Sequence, residues 1–332
     1  MASLTLDGFS CEDLTAAVNK IPSMPTLLGQ FFESQSTNTT TVAVDVENSH
    51  LKLIPDTRRG TAGTIPAQDT RSVKHIPTLH LQQIDSITPE DVQNVRAFGS
   101  TEPETVAARI TRKQLAMRRN IEATLEYHRL GAIKGKILDA DGSTELLDIF
   151  DTFGVQAPSD ISITFPTSTS SKSNPVLSGI MKAADVVDTA MGGSPYTGIH
   201  AICGATFWDM LIGNPYTSEA YINFTARQDA LGGNTFLAGF TYGGVTFHRY
   251  SQTIAGQTTV AASECHVFPV GPGIFSTVYA PADYMETVNT DGVPFYSKIE
   301  ERPFGKGYDL EVQSNPICIC TFPESLVKLI AA

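Results

Sequence analysis

One stretch of about thirty residues constrains this chain more than any other. From Thr101 to Leu130, apolar side chains recur at helical spacing at Val106, Ile110, Met117, Ile121 and Leu125, while Arg109, Arg112, Lys113, Arg118 and Arg119 fill other positions. Thr101-Glu102-Pro103-Glu104 has the form of a capping box: hydroxyl and carboxylate satisfy amides that a first helical turn leaves without partners, and proline is tolerated there. Gly131 is placed to end the run. A helix over 101–130 is roughly 45 Å long at about 1.5 Å per residue, so the pattern predicts a strut rather than an ordinary packed helix.

The segment before it has a different period. Val42, Val44 and Val46 alternate with Ala43, Asp45 and Glu47, and a second extended run, His75 to Ile84, carries Ile76, Leu79 and Leu81. Between them lies the polar, glycine-bearing run Asp56-Thr57-Arg58-Arg59-Gly60-Thr61-Ala62-Gly63-Thr64. Residues 41–87 therefore read as one long hairpin with a mobile tip. A two-stranded ribbon is marginal by itself in water, so it needs another surface to lie on. Residues 1–40 read as an arm, with a short helix after Ser10 that uses Leu14, Ala17 and Val18.

After the helix, Gly135–Leu138 and Glu145–Phe150 flank Asp139-Ala140-Asp141-Gly142-Ser143, a hairpin with Asp-Gly turn chemistry. Residues 159–175, rich in Ser, Thr and Pro, read as a connector. Asn174-Pro175 opens a helix through Leu177, Ile180, Met181, Ala184 and Val187 that stops at Gly192-Gly193. A strand at Ile199–Cys203, a helix at Ala205–Ile212 and a strand at Val245–Tyr250 suggest a separate mixed lobe. The chain from Glu264 onward is mainly extended: His266–Val270, Ile274–Tyr279, Phe295–Ile299, Tyr308–Gln313 and Ile317–Phe322, with Asn289-Thr290-Asp291-Gly292 as a hairpin turn. Tyr308, Leu310 and Val312 alternate with Asp309, Glu311 and Gln313, as in an antiparallel strand buried on one side.

The 332 residues are 41% hydrophobic and carry a formal net charge of −12. Such a chain can bury a sizeable core, and its acidity repels phosphate at long range, which opposes direct sequence-reading of DNA. Charged residues make up 17%, against about 25% on average, consistent with a surface covered in large part by something else. No apolar run approaches the roughly 18 residues of a membrane span, and Met1-Ala2-Ser3-Leu4-Thr5 lacks the basic and apolar regions of a secretory signal, so the protein is expected to be made in the cytoplasm. Cys11, Cys203, Cys265, Cys318 and Cys320 are odd in number without a CxxC pair, which favours free thiols over a disulfide framework or a zinc site.

Catalytic constellations fail one by one. Gly192-Gly193-Ser194-Pro195 puts proline where a nucleophile elbow needs a free turn. Gly305-Lys306-Gly307 comes closest to a phosphate loop, but Glu300 stands where the first glycine belongs and Gly307 replaces the magnesium-holding Ser or Thr, so a strand-connecting loop fits better. Asp139 and Asp141 resemble a calcium loop only superficially, because the glycine falls at the fourth position instead of the sixth. His50, His75, His80, His128, His200, His248 and His266 are dispersed, and the adjacent Glu300 and Glu301 point to opposite faces of a strand. No catalytic residue, cofactor or metal is expected.

Two stretches, Arg109-Ile110-Thr111-Arg112-Lys113-Gln114-Leu115 to Gly135–Ser143 and Pro281-Ala282-Asp283-Tyr284 to Pro323-Glu324-Ser325-Leu326-Val327, resemble the major capsid protein E family of lambda-like tailed phages. The resemblance implies an α+β tailed-phage major capsid fold. It implies an N-terminal arm (1–40), an extended loop (41–87), a peripheral domain beginning at 88–189 with its spine helix at about 101–130, an axial domain (190–263), and a strand-rich return to the peripheral domain (264–332). It further implies a shell protein of the virion that joins itself in fivefold and sixfold rings and encloses double-stranded DNA without reading its sequence. Its other implied partners are a separate scaffold protein, a decoration protein and a portal at one vertex. Contacts between copies are expected at Arg58, Arg59 and Gly60 in the loop and at Arg109, Arg112, Arg118 and Arg119 on the helix. Two rival readings are a tail or receptor-binding structural protein, suggested by the Thr-rich strands, and an α/β hydrolase or transferase with an unfamiliar site.

If residues 41–87 serve assembly, deleting Asp56 to Thr64 leaves the circular dichroism of the subunit unchanged and impairs shell formation; an unaltered shell yield in electron micrographs contradicts that role.

Overall fold

The computed structural model describes residues 11–20, 26–47, 71–93, 105–168, 174–230 and 239–332. Its helices in chain order are α1 (Cys11–Lys20), α2 (Val106–Lys134), α3 (Ile149–Phe153), α4 (Pro175–Met191), α5 (Ala205–Gly213) and α6 (Ser218–Ala230). Its strands are β1 (Glu33–Ser36), β2 (Thr41–Glu47), β3 (Arg71–Pro77), β4 (Leu81–Ile87), β5 (Lys136–Leu138), β6 (Glu145–Asp148), β7 (Ile161–Ile163), β8 (Gly198–Cys203), β9 (Phe240–Tyr242), β10 (Val245–Arg249), β11 (Thr253–Ile254), β12 (Gln257–Thr258), β13 (Glu264–Val270), β14 (Phe275–Tyr279), β15 (Tyr296–Glu301), β16 (Tyr308–Ser314), β17 (Pro316–Cys320) and β18 (Val327–Ala331). The fold is α+β, as the resemblance implied. The chain forms two compact units, one from 1–42, 76–128 and 277–318 and the other from 43–75, 129–276 and 319–332.

The first unit is built on the antiparallel sheet β15-β16-β4. β16 alternates as its sequence predicts as far as Val312, with Leu310 and Val312 buried and Asp309 and Glu311 half-exposed, but Gln313, expected on the open face, is buried and donates to Asp283 at 2.8 Å. The apolar stripe of α2, Ile110, Met117 and Ile121, packs with Leu310, Val312, Ile299 and Ile87 of the sheet and with Leu14 and Val18 of α1 in one core. Gln114 donates to the Ser297 hydroxyl at 2.9 Å, joining α2 to β15. Asn19 of α1 donates to the Phe295 carbonyl at 2.8 Å, and the Ser297 amide donates to the Thr15 hydroxyl at 3.2 Å. The helix after Ser10 is therefore part of this core, more than a trailing arm.

Arg118 lies within the same core at 4% exposure. Its Nε donates to Glu122 Oε1 at 2.9 Å, its Nη1 donates to the Val18 carbonyl, and the guanidinium sits 4.7 Å from the centre of the Phe295 ring. Glu122, one helical turn on, is 8% exposed. This is a desolvated pair stabilised by further hydrogen bonding, the situation in which removing one partner strands the other.

Several boundaries differ from the sequence reading. The ribbon is β2 paired with β3 and ends at Pro77, whereas β4 pairs with β16 along its whole length, from Leu81 opposite Ser314 to Ile87 opposite Tyr308. Between them the Thr78 amide donates to the Thr40 carbonyl and the Leu79 amide to the Pro316 carbonyl. The expected hairpin of 41–87 is thus two elements, the second committed to the core sheet. The capping box Thr101–Glu104 lies outside the described residues; at Val106 the Thr105 hydroxyl accepts the Ala108 amide at 3.2 Å. The helix runs past Gly131 to Lys134 and ends where Gly135 takes a φ of +85°. Gly131 serves packing instead, since a Cβ there would lie 2.7 Å from the Lys136 carbonyl oxygen. The predicted strand to Phe150 stops at Asp148, whose side chain accepts the Asp151 amide at 3.1 Å and caps α3. Asn289–Gly292 is no hairpin turn, because β14 pairs with β1 and β17 while β15 pairs with β16.

The second unit centres on the sheet β7-β18-β13-β8-β10-β9. β8 runs parallel to β10 and antiparallel to β13, and β18 runs antiparallel to β13 and parallel to β7. Helix α4 begins and ends as its sequence predicts: Asn174 accepts the Leu177 amide at 3.0 Å, and Gly192 closes it with a φ of +56°. Its buried face, Val176, Ile180, Ala183, Val187 and Met191, is continuous. The turn between β5 and β6 is held by the Asp141 carboxylate, which accepts from the amides and hydroxyls of both Ser143 and Thr144. Those bonds hold its pKa well below the usual carboxylate range and account for the aspartates that resembled a calcium loop.

On the same sheet His200 and His248 stack with ring centroids 5.4 Å apart, Nδ1 of one 3.1 Å from Nε2 of the other. Burial lowers the pKa of both, that of His248 to about 4 with a smaller contribution from His200. Burial likewise lowers that of His266, against the opposing pull of Glu264.

Two outcomes follow from this packing. Replacing Arg118 by Ala lowers stability in chemical denaturation by about 3–5 kcal/mol, because the Glu122 carboxylate stays buried after its ion pair with Arg118 is lost, whereas Arg119→Ala changes it by less than about 0.5 kcal/mol; equal effects contradict the assignment. The buried histidines are neutral when folded and take up protons below about pH 6.5 when unfolded. The melting temperature is therefore level above that pH and falls as pH drops from 6.5 toward the His248 value of about 4. His248→Gln flattens the fall, and a wild-type melting temperature independent of pH across this window contradicts the packing.

Candidate assembly surfaces

The residues singled out for contacts between copies are not equivalent. Arg58, Arg59 and Gly60 lie outside the described residues. Arg112 and Arg119 are exposed on α2, seven positions apart and so on the same side of the helix. Arg109 is half-buried, with its Nη2 3.8 Å from Asp91 Oδ1. Nearby, Lys113 donates to Asp85 at 2.9 Å and to the Ser86 carbonyl at 2.7 Å. Arg118 faces inward and is committed to Glu122 and Val18 of its own chain. The helix thus presents Arg112 and Arg119 to the outside, places Arg109 at the rim and buries Arg118. The signal for Arg118 was the glutamate at i+4, which a reading of the helix as a solvated charged face absorbed.

The larger missed feature is a set of exposed apolar side chains in the first unit. Phe304, in the turn between β15 and β16, is 94% exposed with a φ of +66°. A non-glycine residue in that region carries strain, and the turn around it is fixed. Arg302 pairs with Asp309 at 2.7 Å, and its amide donates to the Gly307 carbonyl at 2.9 Å. Met285 is 91% exposed and Val288 56%. On the face of the sheet away from the core, Ile84 stands beside Lys298, Glu300, Asp309 and Glu311 around a shallow depression. Tyr284 donates to Glu311 at 2.9 Å and Lys298 pairs with Glu286 at 3.0 Å, so this face is acidic and partly cross-braced. Burial, aided by Glu311, pushes the Tyr284 phenol up. The Pro303-Phe304-Gly305 turn was visible in the sequence only as a connector.

The carboxylate pair and the glycine-lysine loop weighed in the sequence are placed as that reading expected. Glu300 lies opposite Asp309 and Glu301 opposite Tyr308, on alternate faces of β15, and Gly305–Gly307 joins two antiparallel strands. No group of three or more His, Cys, Asp or Glu among the described residues is arranged to hold a metal ion, and no helix among them is long and apolar enough to cross a membrane. The depressions in the second unit, one lined by Asp185, Thr189 and Glu324 and another by Phe165, Asp209, Met210 and Asn214, are open to solvent.

Known proteins similar to this chain include phage capsid proteins. The family model described as phage major capsid protein E matches residues 10–331. The major capsid protein of Pseudomonas phage KPP10 is 26% identical over 346 residues, covering 97% of each chain. That of Salmonella phage Felix O1 is 26% identical over 360 residues, covering 97% of this chain and 96% of its own. Among solved structures, the putative capsid protein of a prophage of E. coli CFT073 superposes with a TM-score of 0.59 at 15% identity, over 98% of this chain and 99% of that one. The capsid of cyanophage P-SCSP1u gives 0.56 at 11% identity, over 94% and 91%. With the family model spanning almost the whole sequence, the chain belongs to the phage major capsid protein E family.

Proposed function

We propose that this chain is the major capsid protein of a tailed phage, assembling with itself into the icosahedral head shell of the virion around double-stranded DNA. The whole-chain family match carries the reading, and the similarity to major capsid proteins along nearly the full length supports it. Its work is structural, with no reaction assigned to any residue. The subunits join in fivefold and sixfold rings, with residues 41–77 as the extended loop, 190–263 as the axial domain, and 81–189 and 264–332 as the peripheral domain. Arg112 and Arg119 supply charged contacts to neighbouring copies, joined by Arg58, Arg59 and Gly60 at the loop tip and by Arg109 at the helix rim. The net charge of −12 suits a wall that encloses DNA without gripping it. A separate scaffold protein, a portal at one vertex and a decoration protein on the outside complete the particle.

The test is electron microscopy of the purified protein, expected to show rings or closed shells; a strictly monomeric species at high concentration contradicts the reading. Reversing both exposed arginines (R112E and R119E) lowers shell yield by at least about tenfold while leaving the circular dichroism of the subunit unchanged. Undiminished yield removes these two residues from the interface.

A further inference from the structure

The central sheet of the second unit sets two thiols face to face. Cys203 closes β8, Cys265 lies in β13, and the antiparallel register makes them direct partners with their sulfur atoms 3.2 Å apart. The next rung, Gly204 against Glu264, is joined by a backbone hydrogen bond from the Gly204 amide to the Glu264 carbonyl at 2.9 Å. The cysteine rung is therefore a non-hydrogen-bonded pair, in which opposed Cα atoms approach to about 4.5 Å, inside the range of about 4.4–6.8 Å that a disulfide spans. Both residues are fully buried. The following turn closes over them: the Phe207 amide donates to the Ala262 carbonyl at 2.8 Å, and Gly204 has no room for a Cβ against the Ala261 carbonyl.

We propose that Cys203 and Cys265 are a modification site: two free thiols that close into an intrachain disulfide when the folded protein meets a two-electron oxidant of the peroxide class. One thiol, as its thiolate, attacks a peroxide oxygen and becomes a sulfenic acid, releasing the first water. The facing sulfur then displaces the hydroxyl, the sulfur–sulfur bond forms, and the second water leaves. Each sulfur gives up one electron, the peroxide takes up two, and the two thiol hydrogens depart in the waters. The sheet register already holds the two sulfur atoms opposite each other. Burial pushes the Cys265 thiol well above its ordinary range, so the reaction is slow in the native state. The same burial shields the finished bond from dissolved reductants. The bond ties together the ends of the segment that holds α5, α6, β9 and β10, and it stabilises the unit by restricting the unfolded chain. It forms within one chain and needs no assembled shell.

The experiment uses full-length protein purified with reductant, desalted, exposed to hydrogen peroxide in native buffer, then unfolded in the presence of N-ethylmaleimide and mapped by mass spectrometry. The expected result is a linked peptide pair containing Cys203 and Cys265, with Cys11, Cys318 and Cys320 alkylated. The oxidised protein melts at least about 5 °C higher than the reduced one, and the gain disappears after reduction in denaturant. C203S and C265S each abolish both the linked peptide and the shift. Full alkylation of Cys203 and Cys265 after peroxide overturns the proposal, as does a linked pair that leaves the melting temperature unchanged or lower. The peptide map of the unaltered chain decides the matter even where a serine variant does not fold.

Discussion

The packing of the α2 stripe against the sheet β15-β16-β4 is the interaction on which the first unit rests. Ile110, Met117 and Ile121 meet Leu310 and Val312, and α1 covers the same core with Leu14 and Val18. Each fully buried aliphatic side chain contributes about 1.5–3 kcal/mol through removal from water, so this cluster fixes which way the helix is turned. That rotation dictates the rest of the helix surface. With Met117 and Ile121 inward, Arg118 enters the core and needs Glu122, while Arg112 and Arg119 emerge on the opposite side. The outer face of the helix follows from the inner one.

A second constraint is the poverty of cover on the remaining elements. Among the described residues, β2 and β3 pair only with each other, and Val73 of β3 is about half exposed. Phe304 and Met285 stand almost wholly in solvent. A monomer has no evident use for an aromatic side chain presented on a strained, rigid turn. A subunit that is surrounded by copies of itself has one, since such a side chain is an anchor already ordered before contact. The chain therefore reads as a core that is complete and a surface that is not.

Much of this was legible in the residues. The alternation in β16, the Asn-Pro start and Gly end of α4, the Asp-Gly turn and the amphipathic run of α2 each have a local physical cause, and each appears where the sequence placed it. What escaped depends on contacts distant in sequence. Nothing local says that Leu81–Ile87 pairs with Tyr308–Ser314 instead of continuing the ribbon, although Pro77, lacking an amide hydrogen, marked the break. Gly131 looked like a helix end because its role is to admit the backbone of Lys136 and Ile137, a requirement visible only once the chain has turned. Arg118 could not be told from its exposed neighbours by spacing alone. Cys203 and Cys265 became a pair only when the register of β8 and β13 was known. The capsid assignment was accessible earlier than any surface residue, because it rests on the family resemblance carried by the stretches 109–143 and 281–327.

The claim that this chain completes its surface with copies of itself is tested most directly by a cryo-electron reconstruction of the self-associated protein. The account predicts a closed shell of fivefold and sixfold rings in which the β2–β3 ribbon lies on an adjacent subunit and Phe304 is enclosed by another copy. A reconstruction in which the ribbon and Phe304 are covered by their own chain, or remain in solvent throughout, contradicts it.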